Sequence, residues 1–296
     1  MKTRLVTGFF YVLTLGAFFF LKCFFGIDLI FDALIWLFAL IGTFEMLRAL
    51  SALVTKAEKI LVFLFAIFCI PSCALFEHFY GTGVTAVAVC FFVFAVLALT
   101  LLVSRHEETS LEGLGASFLA AVYPNLLLVL LTLANHLTAT PSLTAFGFDS
   151  RLAILFVFVV SPVSDSLAYV FGRFLKKKFP KKMAPVVSPN KTVIGGIGGL
   201  VGGLLAAVVL YFSYNAAAGS FEHMALWLPV YLGIGLLAAA ATELGDLVES
   251  CVKRKVGIKD MGKLLPGHGG IMDRIDGTMY TTVVVYAAFK LIYLIV

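Results

Sequence analysis

The sequence is poor in charge and in proline, and its cysteines lack the spacing of a structural site. Charged side chains make up 13% of the 296 residues, whereas a water-soluble domain carries about 25%. Nine prolines and no polar low-complexity stretch argue against fibrous and disordered classes. The five cysteines are odd in number and lack CxxC spacing, so neither a disulfide framework nor a cysteine-based zinc site is indicated. With 61% hydrophobic residues, the chain is predicted to be an integral membrane protein.

Apolar stretches long enough to cross a membrane recur along the whole chain. A spanning helix needs about 20 mainly apolar residues. The first stretch follows Lys2 and Arg4 as in a signal peptide, but no small-residue cleavage site comes after it, so we expect it to be retained. We predict an all-α, polytopic integral membrane protein with about nine transmembrane helices, at residues 5–21, 28–47, 60–76, 82–103, 115–136, 151–172, 195–215, 225–245 and 278–296.

The basic residues are distributed unequally between the two sides of these spans. Lysine and arginine concentrate on the cytoplasmic side of membrane proteins. Threading the nine spans places 19 of the 22 basic residues on the side of the N-terminus. We therefore predict that the N-terminus is cytoplasmic and the C-terminus external.

Two connectors on the predicted cytoplasmic side are longer than a short turn requires, residues 173–194 and 246–277. Long connectors are where binding and catalytic groups concentrate. We accordingly divide the chain into an N-terminal bundle of five spans, 1–136, acting as scaffold or dimer contact, and a C-terminal catalytic region, 137–296.

Carboxylates cluster at the second long connector. Six of the seventeen acidic residues lie between positions 243 and 276. Carboxylates crowded at a membrane surface repel one another unless cations or protons neutralise them. Oxygen ligands without histidine or cysteine partners suit Mg²⁺, and we predict Asp246, Asp273 and Asp276 as its ligands. The alternative is a solvated loop neutralised by its own basic residues.

Asp165 lies inside the sixth predicted span, about 10 Å from its cytoplasmic end at 1.5 Å per residue. Ionisable groups inside a membrane are costly and are mostly functional. Pro162 leaves backbone carbonyls beside Asp165 without an amide partner. We predict that Asp165 joins the acidic site; the alternative is that it only bonds the Ser164 or Ser166 hydroxyl.

Glycines and a lysine provide candidate phosphate contacts. Gly267, Gly269 and Gly270 allow tight turns whose amides approach phosphate oxygens. His268 between them contacts phosphate or base, or stabilises the turn. Lys191, in the SPNKT segment 188–192, contacts a phosphate, or the segment caps the next helix. A lysine cluster at 176–182 attracts anionic membrane lipid.

These motifs resemble the CDP-diacylglycerol synthase family, also called the phosphatidate cytidylyltransferases. The likeness covers roughly residues 160–280, and the first half matches only as a string of spans. One departure is Ile194, where the family usually has glutamate. The matching elements are Ser250 with Lys253 and Arg254, then Lys259-Asp260, then Pro266 to Gly270, then Asp273-Arg274-Ile275-Asp276, together with Asp165 to Tyr169, Gly172-Arg173 and the SPNKT segment.

The resemblance implies transfer of CMP from CTP to phosphatidic acid, which yields CDP-diacylglycerol and pyrophosphate. It further implies Mg²⁺ as cofactor, a homodimer, and a bacterial inner membrane location with a cytoplasmic active site. The choice between Mg²⁺ and Mn²⁺ stays open, since both accept oxygen ligands. A second cation is also possible under this resemblance. Membrane lipid is an expected partner, and no nucleic-acid partner is expected.

The resemblance also assigns roles to individual residues. Asp246, Asp273 and Asp276 match the family's metal-binding carboxylates. The residues expected to act in catalysis are Asp165, Lys253, Arg254, Lys259, Asp260, His268 and Arg274. Those expected to bind substrate are Arg173, Ser188, Lys191, Thr192, Gly267, Gly269 and Gly270.

Two other functions fit parts of the pattern. A CTP-dependent polyprenol or diacylglycerol kinase needs similar metal and phosphate ligands. A transporter of phosphorylated solutes is suggested by Asp165 and the basic connectors, but transporters carry their charges midway through the membrane. The charges of this chain gather at one predicted face, which favours an enzyme.

Overall fold

A computed structural model describes residues 2–138, 148–218 and 224–295. Helices account for nearly all of this part of the chain, and the fold class is all-α as predicted. The helices are α1 (Lys2–Phe25), α2 (Asp28–Ala49), α3 (Lys56–Tyr80), α4 (Gly83–Ser104), α5 (Leu111–Ala121), α6 (Leu127–Asn135), α7 (Ser150–Leu175), α8 (Val193–Ala218), α9 (Met224–Lys255) and α10 (Met272–Ile295).

Nine stretches of these described residues are helical, long and apolar enough to cross a membrane, which confirms the predicted number of spans. The fifth is composite. It runs through α5 and α6, which are joined by a π-helical turn at Val122–Leu126. Pro124 lies in that turn and has no amide hydrogen, so the regular hydrogen-bond ladder shifts by one residue there. This chain is a multi-pass membrane protein.

The last two spans are longer at one end than the apolar pattern indicates. α9 ends at Lys255 rather than 245, and α10 begins at Met272 rather than 278, so the connector predicted at 246–277 shortens to 256–271. Hydropathy detects only the apolar part of a helix. The charged last turns of α9 stay helical because side chains four residues apart bond along one face, as Lys253 does with Glu249 at 2.6 Å.

The connector after α7 contains a small sheet that the sequence analysis did not predict. Two antiparallel strands, β1 (Lys182–Ala184) and β2 (Ser188–Thr192), pair Lys182 with Thr192 and Ala184 with Ser188. β2 is the SPNKT segment. Its last residue, Thr192, accepts a hydrogen bond from the amide of Gly195 at 3.1 Å, so the segment also caps the start of α8.

The chain forms two compact units. The first comprises residues 1–136 with 256–275, and the second comprises 137–255 with 276–296. The connector 256–271, which the sequence analysis assigned to the catalytic region, thus folds with the N-terminal spans. The scaffold and catalytic roles given to the two regions stay predictions.

In the first unit, α3 is the central helix and contacts α2, α4, α5 and α6. It begins at a capping box, in which the Thr55 and Glu58 side chains bond each other's backbone amides. It ends at Gly81, whose φ of 65° lies in the left-handed region that glycine adopts without strain. The rings of Phe65 and Phe94 join α3 to α4 at 5.1 Å between centroids.

In the second unit, α8 packs along α7 and α9. An aromatic cluster holds α7, α9 and α10 together near the start of α7. Tyr231 of α9 lies 5.3 Å from the ring of Phe156 and 5.3 Å from that of Phe148, and Phe289 of α10 lies 5.3 Å from Phe148. The opposite ends of the same helices carry the polar residues of the site.

Small residues bring α8 and α9 into close contact, and Gly199 and Gly203 have the small-xxx-small spacing typical of tightly packed membrane helices. A methyl group placed on Gly203 would lie 2.4 Å from the backbone oxygen of Gly235 and 2.4 Å from the Ala239 side chain. Neither a backbone carbonyl nor a side chain on a packed helix can move aside without separating the two helices.

We expect Gly203→Ala to destabilise the protein by about 1–3 kcal/mol, because the added methyl overpacks this contact. The measurement is the thermal unfolding midpoint of purified protein in detergent. Gly233→Ala on α9 is the matched control, since a methyl there meets nothing within 4 Å. Alanine is the better helix former by about 1 kcal/mol, so the control midpoint should stay level or rise. Equal midpoints for both variants would contradict the close contact.

Candidate functional site

The second unit contains a cavity of about 580 Å³ that opens among α7, the β hairpin, the start of α8 and the charged end of α9. That volume is typical of small-molecule sites. The lining combines basic and acidic side chains with small residues that leave the backbone accessible. The charged lining residues are Asp165, Arg173, Lys176, Lys182, Lys191, Glu243 and Asp246.

Acidic groups from three helices lie near one another, and three of them, Asp165, Glu243 and Asp246, line one side of the cavity. Asp165 on α7, Asp246 on α9 and Asp276 on α10 lie within electrostatic range of one another, with Glu243 as a fourth carboxylate. We call Asp165, Glu243, Asp246 and Asp276 the acidic floor. Asp165 is exposed to the cavity rather than buried in the helix bundle. The Ser166 hydroxyl bonds the Pro162 carbonyl instead, so the alternative in which Ser166 bonds Asp165 is absent from the structure's described hydrogen bonds.

Lys191 crosses from the hairpin to the acidic floor. Its ammonium nitrogen lies 2.7 Å from Asp246 Oδ2 and 3.2 Å from Glu243 Oε2. Burial by itself lowers the pKa of Lys191, but the two carboxylates outweigh burial and hold that pKa above its ordinary value. Lys191 therefore carries a full positive charge at neutral pH, directly beside the carboxylates.

A second basic and acidic group extends the floor along α9. Lys253 Nζ lies 2.6 Å from Glu249 Oε2, and the Glu249 carboxyl group lies close enough to that of Asp276 to interact with it electrostatically. The Ser250 hydroxyl donates to Asp246 Oδ1 at 3.2 Å. Neighbouring carboxylates repel one another, so a cation beside this group lowers its electrostatic energy.

Glu243 enters the floor only because its neighbour on α8 is glycine. A methyl group on Gly199 would lie 2.5 Å from Glu243 Oε1. That oxygen is buried, and the described residues offer it no hydrogen-bond partner; the same is true of Ser164 Oγ close by. A buried carboxylate oxygen without a donor is an acceptor position that a cation or an ordered water would satisfy.

The floor suits the magnesium ion that the resemblance implies. Its candidate ligand atoms are all carboxylate oxygens, and Mg²⁺ prefers oxygen ligands and retains several waters. No histidine or cysteine lies among the residues that line the cavity. If Mg²⁺ binds here as the resemblance implies, Asp246 and Asp276 would hold it, and Asp165 and Glu243 would add negative charge nearby.

The remaining predicted metal ligand, Asp273, belongs to the first unit. Asp273 Oδ2 accepts the amide of Met261 at 2.9 Å and that of Gly270 at 2.8 Å, so it anchors the connector 256–271. Its role as a metal ligand stays a prediction.

The glycine-rich turn also lies in the first unit and is tightly folded. The Leu265 amide donates to the Gly269 carbonyl at 2.9 Å, and the His268 amide donates to the Leu265 carbonyl at 2.8 Å. Gly267 and Gly269 have φ values of 79° and 83°, which side chains other than glycine rarely adopt. Beside this turn, the ring of His268 approaches Gly8 of α1. The phosphate contacts predicted for the turn stay predictions.

Sequence analysis missed the residue that organises this connector. Glu45, near the end of α2, is 3% exposed and accepts the amides of Ile271 at 3.2 Å and Met272 at 2.9 Å. Methyl groups on Gly262 or Gly270 would overlap its carboxylate, so only glycine fits beside Glu45 at both positions. Because Glu45 is a lone glutamate in an apolar run, the sequence indicates that it is buried. The sequence does not indicate its partner, which lies 226 residues away.

The predicted site residues therefore fall in two groups. In the second unit the structure assembles Asp165, Arg173, Lys191, Thr192 and Asp246 around one cavity, and Asp276 lies in electrostatic contact with Asp165 and Asp246. Lys253 pairs beside that floor, Arg254 lies in the last turn of α9 and Ser188 begins β2. The residues that belong to the first unit are Lys259, Asp260, Gly267, His268, Gly269, Gly270, Asp273 and Arg274.

The fold and the cavity define a multi-pass membrane protein with a paired acidic and basic site suited to a phosphorylated ligand and a divalent cation. Comparison with known proteins agrees with that class. A profile of the cytidylyltransferase family matches residues 2–292, so the chain belongs to the cytidylyltransferase family.

Curated relatives match over a shorter stretch. The phosphatidate cytidylyltransferase of Staphylococcus saprophyticus is 45% identical over 129 residues, which cover 43% of this chain and 45% of that protein. The enzyme of the same name from Staphylococcus haemolyticus is 42% identical over 132 residues, covering 45% and 46%. That from Staphylococcus aureus strain COL is 43% identical over 129 residues, covering 43% and 45%. The matched stretch spans less than half the length of each of these relatives.

Proposed function

We propose that this protein is a phosphatidate cytidylyltransferase, which transfers CMP from CTP to phosphatidic acid and releases pyrophosphate. The observation that carries the proposal is the cavity lined by Asp165 and Asp246 together with Lys191 and Arg173, with Asp276 in electrostatic contact with the two aspartates. Family membership and the names of the relatives support the same reaction.

The reaction needs little covalent help from the protein. The phosphate monoester of phosphatidic acid is already an anion near neutral pH, with a second pKa of about 6. One of its oxygens attacks the α-phosphorus of CTP, a new phosphorus–oxygen bond forms, and the bond to the bridging oxygen of the β-phosphate breaks. The barrier comes from bringing two anions together and from the charge on the departing pyrophosphate.

The side chains of the cavity address that electrostatic barrier. Lys191 and Arg173 would attract and orient phosphate oxygens, and Lys176 and Lys182 add positive charge at the rim. Mg²⁺, held at Asp246 and Asp276, would supply positive charge where phosphate oxygens become more negative. Asp165 and Glu243 would orient the waters around that site.

The location follows the same logic. CTP is water-soluble, whereas the acyl chains of phosphatidic acid remain in the bilayer. A cavity at the polar ends of membrane-spanning helices lets a water-soluble and a lipid substrate meet. We propose the bacterial plasma membrane as location, a cytoplasmic active site from the bias of basic residues, and a homodimer as the functional assembly.

The decisive experiment determines which phosphorus atom of CTP is transferred to lipid. Purified protein is incubated with Mg²⁺, phosphatidic acid vesicles and CTP labelled either at the α- or at the γ-phosphorus. We expect α-label in the lipid extract and γ-label in pyrophosphate. Vesicles containing diacylglycerol instead of phosphatidic acid are the control, because diacylglycerol lacks the attacking phosphate.

The other outcomes separate the alternatives. Transfer of γ-label to lipid would make the protein a CTP-dependent lipid kinase. Label that enters sealed vesicles without being attached to lipid would make it a transporter. Either result overturns the proposal.

A further inference from the structure

Charged and polar side chains are buried at the connector between α1 and α2, in the first unit. Lys22 and Asp32 are each 3% exposed, and Asn135 is fully buried. The proposed reaction makes no use of them. Ionisable groups buried within membrane-spanning helices are costly to maintain and indicate a function.

Part of this group is a hydrogen-bonded frame. Lys22 Nζ lies 3.0 Å from Asp28 Oδ1 and donates to the Asn135 carbonyl at 2.8 Å. The Asn135 side-chain amide donates to Asp32 Oδ1 at 2.8 Å. The frame therefore occupies one oxygen of each aspartate and leaves Asp28 Oδ2 and Asp32 Oδ2 directed elsewhere.

The second oxygen of Asp32 orients a histidine. His136 Nε2 lies 2.6 Å from Asp32 Oδ2, and because the carboxylate can only accept, Nε2 carries the proton. In the tautomer with the proton on Nε2, the Nδ1 atom on the other side of the ring has a lone pair available to a ligand. A carboxylate behind one nitrogen, with the other nitrogen facing a ligand, is the arrangement that orients metal-bound histidines.

That lone pair faces two further candidate ligands. His136 Nδ1 lies 3.9 Å from Asp28 Oδ2, too far for a hydrogen bond. His78, at the end of α3, completes the group, and the ligand atoms of Asp28, His78 and His136 all lie within 4.8 Å of one another. Two ligands that each lie about 2.0–2.2 Å from one ion are roughly 3–4 Å apart. The 3.9 Å pair already has this spacing, and a bound ion would draw the remaining ligand atom closer by up to about 1 Å.

We propose that Asp28, His78 and His136 form a binding site for a divalent transition-metal ion of the zinc class. Two imidazoles and one carboxylate are ligands that zinc accepts readily and that magnesium does not prefer. Three protein ligands leave a fourth position for water or an external ligand, and the exposure of His78 gives the ion a path of entry. The predicted orientation places this connector on the external side of the membrane.

The charge of the group is compatible with such an ion. With both histidines neutral, two aspartates and one lysine leave one net negative charge before the metal binds. Lys22 is turned toward Asp28 Oδ1 and Asn135, away from the oxygen assigned to the metal. A hydrogen-bonded frame by itself explains Lys22, Asp32 and Asn135, but it does not explain why His78 converges on the 3.9 Å gap between His136 and Asp28.

The test uses Co²⁺ as a spectroscopic substitute for zinc on the full-length protein in detergent. A saturating Mg²⁺ concentration fills oxygen-only sites first. We expect one equivalent of Co²⁺ to bind with the visible absorption of a four-coordinate site, and Zn²⁺ to displace it. Because His78 is exposed, His78→Gln should fold normally and lower the affinity at least about tenfold.

His106→Gln is the matched control, since His106 is exposed on the connector after α4 and outside the cluster. It should bind as the unmodified protein does. Asp32→Asn should weaken binding about 10–100-fold without removing a ligand, through loss of the hydrogen bond to His136. Equal Co²⁺ affinity in the two histidine variants, or no binding by the unmodified protein, overturns the site; neither result depends on the proposed transfer reaction.

Discussion

Asparagine in place of Asp246 or Asp276 is expected to lower the rate of CMP transfer at least about 100-fold. The amide has the size of the carboxyl group but no charge, so each variant removes attraction for a divalent cation without creating a cavity. Asp246 also bonds Lys191 at 2.7 Å and Ser250 at 3.2 Å, and therefore positions a proposed phosphate contact as well. The measurement is the initial rate of α-label transfer from CTP to lipid.

The magnesium dependence makes this prediction sharper. If the two carboxylates hold the ion, the Mg²⁺ concentration for half-maximal rate should rise in both variants. Glu107→Gln is the matched control, because it removes an exposed carboxylate on the connector after α4. Near-native rates in well-folded Asp246→Asn and Asp276→Asn proteins would rule out the proposed metal assignment.

Alanine in place of Glu45 is expected to cost about 3 kcal/mol of stability and to abolish most of the transfer activity. The carboxylate accepts the amides of Ile271 and Met272, and hydrogen bonds to a charged acceptor contribute about 1.5–3 kcal/mol each. Its removal leaves two buried amides at the first turn of α10 without an acceptor. The negative charge also favours that helix start through the helix dipole.

Two measurements separate a local effect from a general loss of folding. The thermal unfolding midpoint in detergent reports stability, and protease cleavage within the connector 256–271 reports its local order. Glu45→Gln should fall between the unmodified protein and Glu45→Ala, since its single carbonyl oxygen can still accept. Glu107→Ala controls for loss of a carboxylate. Unchanged proteolysis and activity in Glu45→Ala would show that the connector does not need this anchor.

The predicted spans and the acidic site differ in how directly the sequence determines them. A run of about 20 apolar residues is a local property, so nine spans could be counted without knowing their neighbours. Asp246 and Asp276 could be placed near Asp165 because all three lie toward one end of their spans once the chain is threaded through the membrane. The ends of α9 and α10 were misjudged because their charged turns continue the helix beyond the apolar stretch that hydropathy detects.

Several decisive contacts could not be predicted in this way. Glu243 was noted only as the first of six acidic residues between positions 243 and 276, and its place in the floor depends on the absence of a side chain at Gly199 on another helix. Glu45 bonds amides 226 and 227 residues away. His78 and His136 are separated by 58 positions on helices whose packing brings them together. No spacing rule relates residues on separate helices.

The apolar composition and the positions of the basic residues were sufficient to establish a multi-pass helical membrane protein, and a dense set of carboxylates pointed to phosphate chemistry with a divalent cation. Those properties can be predicted from the sequence because they depend on helix length, charge sign and residue type. Helix packing alone decided three contacts. These are the carboxylate oxygens that bond Lys191, the glutamate that anchors the start of α10, and the two histidines that come together near Asp28. Such contacts require backbones to approach within a few ångströms, and that distance is a property of the folded chain.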